Sequence, residues 1–295
     1  MSMSSSPTDE PWTVGRLLTW TTDFLRKKGS ESPRLDAEVL LAEVLNCDRV
    51  KLYTGYDEQV GERDRSAYRE LVRRRAEGAP VAYLVGRKEF FSLTLKVSPA
   101  VLIPRPDTET VVVEFLDQFA EEEPVRAVDV GTGSGCIAIA CARHRPRARF
   151  VAIDQSREAL EIARLNARAH GVDDRVEFLQ GDLLEPVQGS EPFDAILSNP
   201  PYIPTDVIPT LEPGVRDYEP HTALDGGPDG LAVVSRLIDQ AVPRLKPGGR
   251  LILEIGTAQE RPVRDRIAAH PQLVLAPTIR DAANHPRVVR ATRRA

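Results

Sequence analysis

The stretch of this sequence best suited to chemistry is FDAILSNPPYIP, where an apolar run ending at Ser198 opens into Asn199, Pro200, Pro201 and Tyr202. The Asn199 side-chain oxygen and the Pro200 carbonyl are two neighbouring hydrogen-bond acceptors. Prolines at 200 and 201 fix the backbone and remove its donors, so the carbonyl stays turned outward. Such a pair suits one flat group bearing two N–H bonds. A carboxamide nitrogen is a poor nucleophile because its lone pair is delocalised into the carbonyl. Gripping both N–H bonds would aim that lone pair at an electrophilic methyl group. Tyr202 adds a flat face for a planar amide and a shield against water. Catalysis of this kind rests on alignment rather than on a titrating base. Asn-Pro is also a common turn dipeptide, so its placement after a strand and downstream of a cofactor turn decides.

That cofactor turn is Gly131-Thr132-Gly133-Ser134-Gly135, between the apolar run AVDV and the helical stretch CIAIACARH. A strand, a glycine turn and a helix N-terminus form a nucleotide-type site, because the backbone can bend sharply and helix amides point outward. The glycines alternate, Cys136 stands where a dinucleotide fingerprint wants its third glycine, and no lysine makes it a phosphate loop. Asp129, just before the turn, could answer the ammonium of a bound amino acid, directly or through water. Asp154 closes the next strand, where a carboxylate can accept from both hydroxyls of a ribose. In QGDLL, Asp182 could accept from an exocyclic adenine amine while Leu183 packs on the ring. Asn199 falls in both the substrate-binding and the cofactor-binding sets.

The elements around these residues follow from hydrophobic period. From residue 125 onward AVDV, RFVAID, RVEFL, FDAILS and RLILEI alternate with helical stretches such as SREALEIARLNARAH. This is the pattern of a parallel sheet with helices on both faces, an α/β fold. Residues before about Gly78 read as helices only. Thr13 caps the first, which stops at Gly29; the second starts near Pro33; a charged third runs from about Glu62 to Gly78. In EFFSLTLKV, Phe91, Leu93, Leu95 and Val97 alternate with polar residues as in a half-buried strand, and VAYLV is expected to pair with it across Gly86-Arg87-Lys88. Pro104 and Pro106 hold VLIPRPDTE extended before a helix near Asp107 or Thr108. The expected division is a helical docking domain over 1–80, a β-hairpin linker over 81–108 and a catalytic domain over 109–295.

Bulk properties narrow the classes. A formal net charge of −5 argues against a protein that grips nucleic acid by overall positive charge. Arg287, Arg290, Arg293 and Arg294 form one local basic run, read here as a solvated, frayed terminus. The three cysteines and five histidines show neither zinc-knuckle nor HExxH spacing, so no metal is expected. The polar, acidic start MSMSSSPTDEPW lacks the pattern of a signal peptide, and no apolar run is long enough to span a bilayer. A cytoplasmic protein without membrane attachment is expected.

On DVGTGSGCIAIA, AIDQSREALEIARLNA, GDLL and SNPPYIP the chain resembles the seven-stranded methyltransferases that modify planar amines and amides. With PVAYLVGRKEF, VLIPRPDTE, EPHTALDGGPDGL and LEIGTAQ it resembles more narrowly the HemK/PrmC family, the glutamine methyltransferases of peptide chain release factors. The resemblance implies a seven-stranded, Rossmann-like domain binding S-adenosyl-L-methionine, a helical N-terminal domain that docks the substrate, and a hairpin linker. It implies that Asn199 through Tyr202 hold the glutamine of the release factor's GGQ loop, with Glu109 as a neighbour or else a helix-start carboxylate. The NPPY element is shared with nucleic-acid methyltransferases. A glutamine methyltransferase of a ribosomal protein, a nucleic-acid amino-methyltransferase and a non-catalytic binding module therefore remain alternatives.

Overall fold

The Thr13 side chain accepts a hydrogen bond from the Arg16 amide at 3.3 Å and starts the first helix, α1 (Val14–Lys27). In the computed structural model, which describes residues 11–281 and 283–295, α2 (Pro33–Val44), α3 (Arg49–Thr54), α4 (Glu62–Ala76) and α5 (Val81–Val85) follow. These helices form one of two units, which divide between Val85 and Gly86. Its core gathers Leu18, Leu25, Leu40, Leu41 and Leu52 around Tyr68, whose buried hydroxyl donates to the Ala37 carbonyl at 3.0 Å.

VAYLV departs from the expected strand: it is the short helix α5. A five-residue apolar run fits either state. Here the Pro80 carbonyl accepts from the amides of Tyr83 and Leu84, and Gly86, at φ +72°, ends the turn. The hairpin lies further on and belongs to the second unit, as β1 (Arg87–Phe90) paired antiparallel with β2 (Leu93–Lys96). Arg87 and Lys88, expected in the turn, pair in β1. The turn is Phe91-Ser92, both left-handed at φ 48° and 60°. Two such residues make the mirror-image turn that matches strand twist, but without the Asn-Gly signature that announces it.

The rest of the second unit alternates as expected: α6 (Glu109–Gln118), β3 (Arg126–Val130), α7 (Cys136–His144), β4 (Arg149–Asp154), α8 (Arg157–Ala169), β5 (Val176–Gln180) and β6 (Phe193–Ser198). Then come α9 (Pro213–Arg216), α10 (Ala232–Ala241), β7 (Leu245–Glu254), α11 (Glu260–Ala268), β8 (Leu273–Leu275), β9 (Ile279–Arg280) and β10 (Pro286–Arg293). The sheet order is β5-β4-β3-β6-β7-β10-β8, with β9 on β10; β3 through β7 run parallel and β10 antiparallel. Successive side chains of a strand face opposite sides. Ala127 and Leu197 accordingly join one core cluster, with Val111 and Phe115 of α6, while Val128 and Ile196 join another, with Leu237 of α10 and Val263 of α11. Burial on both faces makes these strands unbroken apolar runs.

The basic run near residue 290 is not a frayed terminus. It lies in β10, between β7 and β8. Arg290 pairs with Glu114 of α6 at 2.5 Å, and Arg287 with Asp107 at 2.9 Å and Asp281 at 3.0 Å. Arg290 looks solvated in sequence because its partner, Glu114, lies far away along the chain.

Candidate active site

The strand order reverses between β3 and β6, and ligands of open α/β sheets bind beyond the carboxyl ends of strands at such a point. Register sets what meets there. Val130 pairs with Ile153 on one side and Ser198 on the other, and Ser198 pairs with Leu253. The next residue of each strand therefore falls in one row: Asp154, Gly131, Asn199, Glu254. The Ser198 hydroxyl donates to the Val130 carbonyl at 2.7 Å and locks the two strand ends together. Above this row opens a cleft of about 390 Å³. Gly131, Thr132, Gly133, Ser134, Asp154, Asp182, Leu183, Asn199 and Pro201 all line it.

The glycine turn is shaped from behind. Gly135, at φ +82°, stands at the N-terminus of α7, and a Cβ there would lie 2.7 Å from the Ile139 side chain. Asp129 is fully buried and does not line the cleft. Its Oδ2 accepts from the Thr132 hydroxyl at 2.6 Å and the Ala138 amide at 3.2 Å, and its Oδ1 has no partner among the described residues. Burial pushes this carboxyl up to about 6. In this structure it braces the turn from behind. Asn166 of α8 braces the other side: its amide nitrogen donates to the carbonyls of Ser134 at 2.9 Å and Lys96 at 3.0 Å. This side chain ties hairpin to turn, and its helical setting gave it no signal in the sequence.

Asp154 bonds the Gly133 amide with Oδ2 and the Ser156 amide with Oδ1, both at 2.9 Å. Burial raises its pKa. A carboxylate has about four acceptor sites, so acceptor capacity remains for a ligand. Asp182 is paired across the cleft with Arg236 of α10. An adenine amine would share that carboxylate with a guanidinium, a partner not foreseen from sequence. Leu183 holds φ 49°, unusual for a residue with a side chain. Cys136 also lines the cleft, with a thiol that burial pushes up to about 12, so it is a neutral wall and not a nucleophile.

The Asn199 segment is held by loops distant in sequence. Asn199 donates from Nδ2 to the Thr108 hydroxyl at 3.1 Å. Pro200 is buried, and Tyr202, half-buried, lies off the cleft wall with its hydroxyl toward Glu254. Gln259 donates to the Tyr202 carbonyl at 2.9 Å and to that of Gly230 at 3.0 Å. A Cβ at Gly230 would fall 2.4 Å from the Tyr202 carbonyl oxygen, so only glycine allows this approach. LEIGTAQ and DGGPDGL thus act as clamps on Tyr202. Glu109 does not reach the cleft. Its Oε1 accepts from the Phe91 amide at 2.8 Å, so it fastens the hairpin turn, and Thr108 is the residue of that segment facing Asn199.

Residues 16–86 match a family model described as the PrmC N-terminal domain, and residues 107–207 one described as the methyltransferase small domain. A Rhodopirellula baltica protein named release factor glutamine methyltransferase is 45% identical over 294 residues, covering 97% of this chain and 98% of that one. The chain belongs to the release factor glutamine methyltransferase family. A namesake from Geobacter sulfurreducens is 44% identical over 254 residues, covering 86% of this chain and 88% of its own. A Pyrococcus furiosus methyltransferase structure, 20% identical, shares the fold with a TM-score of 0.50 over 70% of this chain and 92% of that one.

A release factor glutamine methyltransferase is an enzyme, and its methyl donor is S-adenosyl-L-methionine. The cleft fits that donor. Asp154 keeps acceptor capacity beyond the backbone amides it holds, and the outward face of Gly131 and Gly133 is clear of any atom that a Cβ would meet. No helix among the described residues is long and apolar enough to cross a membrane.

Proposed function

We propose that this chain methylates the side-chain amide nitrogen of the glutamine in the GGQ motif of peptide chain release factors. The observation that carries the proposal is the row Asp154, Gly131, Asn199: a carboxylate and a glycine turn for the donor beside one oriented carboxamide for the acceptor. Gly131 through Ser134 would hold the amino-acid end of S-adenosyl-L-methionine, Asp154 the ribose, and Asp182 with Leu183 the adenine. Bound there, the donor supplies a methyl group on a positively charged sulfur, and the departing thioether is neutral and needs no acid.

The protein's part is alignment. Nδ2 of Asn199 is occupied by Thr108, so Oδ1 is the acceptor left for a substrate N–H, and the Pro200 carbonyl would take the second. Restricting rotation of the amide presents the nitrogen lone pair to the methyl, and such orientation supplies a large part of catalysis when no base is needed. A glutamine flanked by glycines can enter a narrow site without bulky neighbours. The helical unit gives the release factor a second place to dock, raising the effective concentration of a flexible loop. Its exposed Trp20, Val50 and Tyr53 are suited to that contact. A cytoplasmic setting follows from a release factor as substrate.

The test is labelled methyl transfer from S-adenosyl-L-methionine into purified folded release factor, a ribosomal protein and nucleic acid, side by side. Label in the release factor alone is expected. Label in either of the others, with none in the release factor, overturns the substrate assignment.

A further inference from the structure

Three loop segments meet at the rim of the cleft: 103–108 before α6, 199–203 after β6 and 219–226 after α9. Hydrogen bonds join each to the next. Asn199 Nδ2 donates to the Thr108 hydroxyl at 3.1 Å. The Ile203 amide donates to the Leu224 carbonyl at 3.0 Å, and the Gly226 amide donates back to the Ile203 carbonyl at 2.8 Å. At the third joint stands Glu219, 5% exposed. Its Oε1 accepts from Arg105 Nη2 at 2.5 Å and its Oε2 from the Ile103 amide at 3.3 Å. The three joints, with the chain between them, close a ring. Each segment sets one proline in the cleft wall: Pro104, Pro201 and Pro220. Proline fixes φ, so the ring is stiff between its joints.

From this geometry we infer that Glu219 is a positioning residue that closes the ring into a collar around the acceptor side of the cleft, and so limits which loops can present a glutamine to Asn199. The inference rests on the reading of Asn199 as the residue that holds that glutamine. Asn199 and Thr108 belong to the ring, and Arg105 lines the cleft beside them. The wall assigned to the donor, Gly131 through Ser134 with Asp154, belongs to none of its three segments. A stiff collar selects by shape. Glycine neighbours carry no Cβ, so a glutamine beside them can pass a narrow rim, whereas alanine would press a methyl group against proline rings. A clash built against the wrong loop gives specificity as surely as a contact made with the right one.

Glu219 is suited to hold the joint. Its two oxygens grip a backbone amide and a side chain two residues apart, which fixes the angle of segment 103–108 as well as its distance. Bonds to an ionised group are roughly twice as strong as neutral ones. Without this carboxylate the buried Ile103 amide would lack its acceptor and Arg105 its counter-charge, so the segment would part from 219–226 and the collar would widen. Because the joints share one ring, the loosening should reach Gly226, which bonds to Ile203 and not to Glu219.

The experiment compares wild type with Glu219→Gln, Glu219→Ala and Arg105→Met, as full chains shown to be folded by cofactor binding. The substrates are folded release factor and the same protein with alanine in place of the glycine beside the glutamine. Wild type should prefer the glycine form in kcat/KM by roughly tenfold to a hundredfold, the range for excluding one carbon from a tight site. Glu219→Gln and Arg105→Met should each cut that preference to roughly threefold or less, and the double variant should go no further. Amide hydrogen exchange is the second readout and needs no substrate. In Glu219→Ala, and to a smaller degree in Arg105→Met, the amides of Ile103 and Gly226 should both exchange faster while those of β3 and β4 keep their wild-type rates. No preference in wild type, a preference that survives Glu219→Gln and Arg105→Met, or Gly226 exchange at the wild-type rate in both exchange variants would each overturn the inference. Faster exchange at both amides, with no methyl transfer to release factor by wild type, overturns only the substrate assignment.

Discussion

The side-chain nitrogen of Asn199 donates to the hydroxyl of Thr108 at 3.1 Å, across 91 residues of sequence. This bond joins the segment that follows β6 to the one that precedes α6 and fixes the carboxamide by its nitrogen end. Everything proposed for the reaction depends on that orientation.

Replacing Asn199 by alanine should leave S-adenosyl-L-methionine affinity nearly unchanged while kcat falls roughly 10²- to 10³-fold, the size of effect seen when one preorganised polar group is removed from an active site. Calorimetry with the cofactor and single-turnover kinetics with release factor read the two quantities separately. Turnover within a few-fold of wild type would remove Asn199 from the alignment step.

Asp154→Ala should weaken the cofactor by on the order of 1.5–3 kcal/mol, the range for hydrogen bonds to a charged group. The same carboxylate also holds the amides of Gly133 and Ser156, so part of that loss would come from a looser glycine turn. Asp154→Asn, which keeps one acceptor oxygen, should lose less. Equal affinity in all three proteins would contradict a ribose role.

Glu109 tests the difference between a cleft residue and a scaffold. Its bond to Phe91 supports a turn of two left-handed residues. Glu109→Ala should cost about 1–3 kcal/mol of stability, because the Phe91 amide loses a charged acceptor. Denaturant unfolding measures this. The kcat should stay within a few-fold; a collapse of kcat in a stable variant would return Glu109 to the active site.

Stability should depend on pH through Glu254. Its folded pKa, about 7, lies above its ordinary value of 4.5, so between these values the folded state binds more protons than the unfolded one. Stability from this group is therefore present below about pH 4.5 and is lost as pH rises through 7. Glu254→Gln removes the penalty and should stabilise the protein at pH 8 by on the order of 1–3 kcal/mol relative to pH 5. Melting temperatures of both proteins at the two pH values decide it; a variant less stable at pH 8 would show that the charge supports the fold.

The docking role is open to surface substitution. Trp20 is 51% exposed on α1 and Val50 73% exposed on α3. Trp20→Ser and Val50→Asp should raise KM for folded release factor roughly fivefold to twentyfold with little change in kcat, as expected for contacts that bind ground and transition states alike. A short peptide carrying the GGQ loop should be a poor substrate for wild type and insensitive to both changes. Equal efficiency on peptide and folded protein would end the docking role.

The parallel sheet, the glycine turn and the residues after β6 were legible because each is local: an apolar run, then a turn whose residue types state their use. What escaped was set by contacts across long sequence separations. VAYLV gave no period to distinguish helix from strand until Pro80 and Gly86 bounded it. Arg290 looked solvated because Glu114 lies far away in sequence. Thr108, Asn166, Arg236 and Gln259 are ordinary residues in sequence and become positioning residues only when the fold brings them to Asn199, Ser134, Asp182 and Tyr202. Asp129 and Glu109 carried the right charge in the right neighbourhood, but register and turn geometry set both behind the cleft wall.

The central claim is tested most directly by mapping the methyl group itself. Folded release factor incubated with this protein and S-adenosyl-L-methionine should, on tandem mass spectrometry, carry one methyl on the side-chain nitrogen of the GGQ glutamine, formed far more slowly when Asn199→Ala replaces wild type. A methyl on any other residue, or the same modification at wild-type rate with Asn199→Ala, would contradict the account.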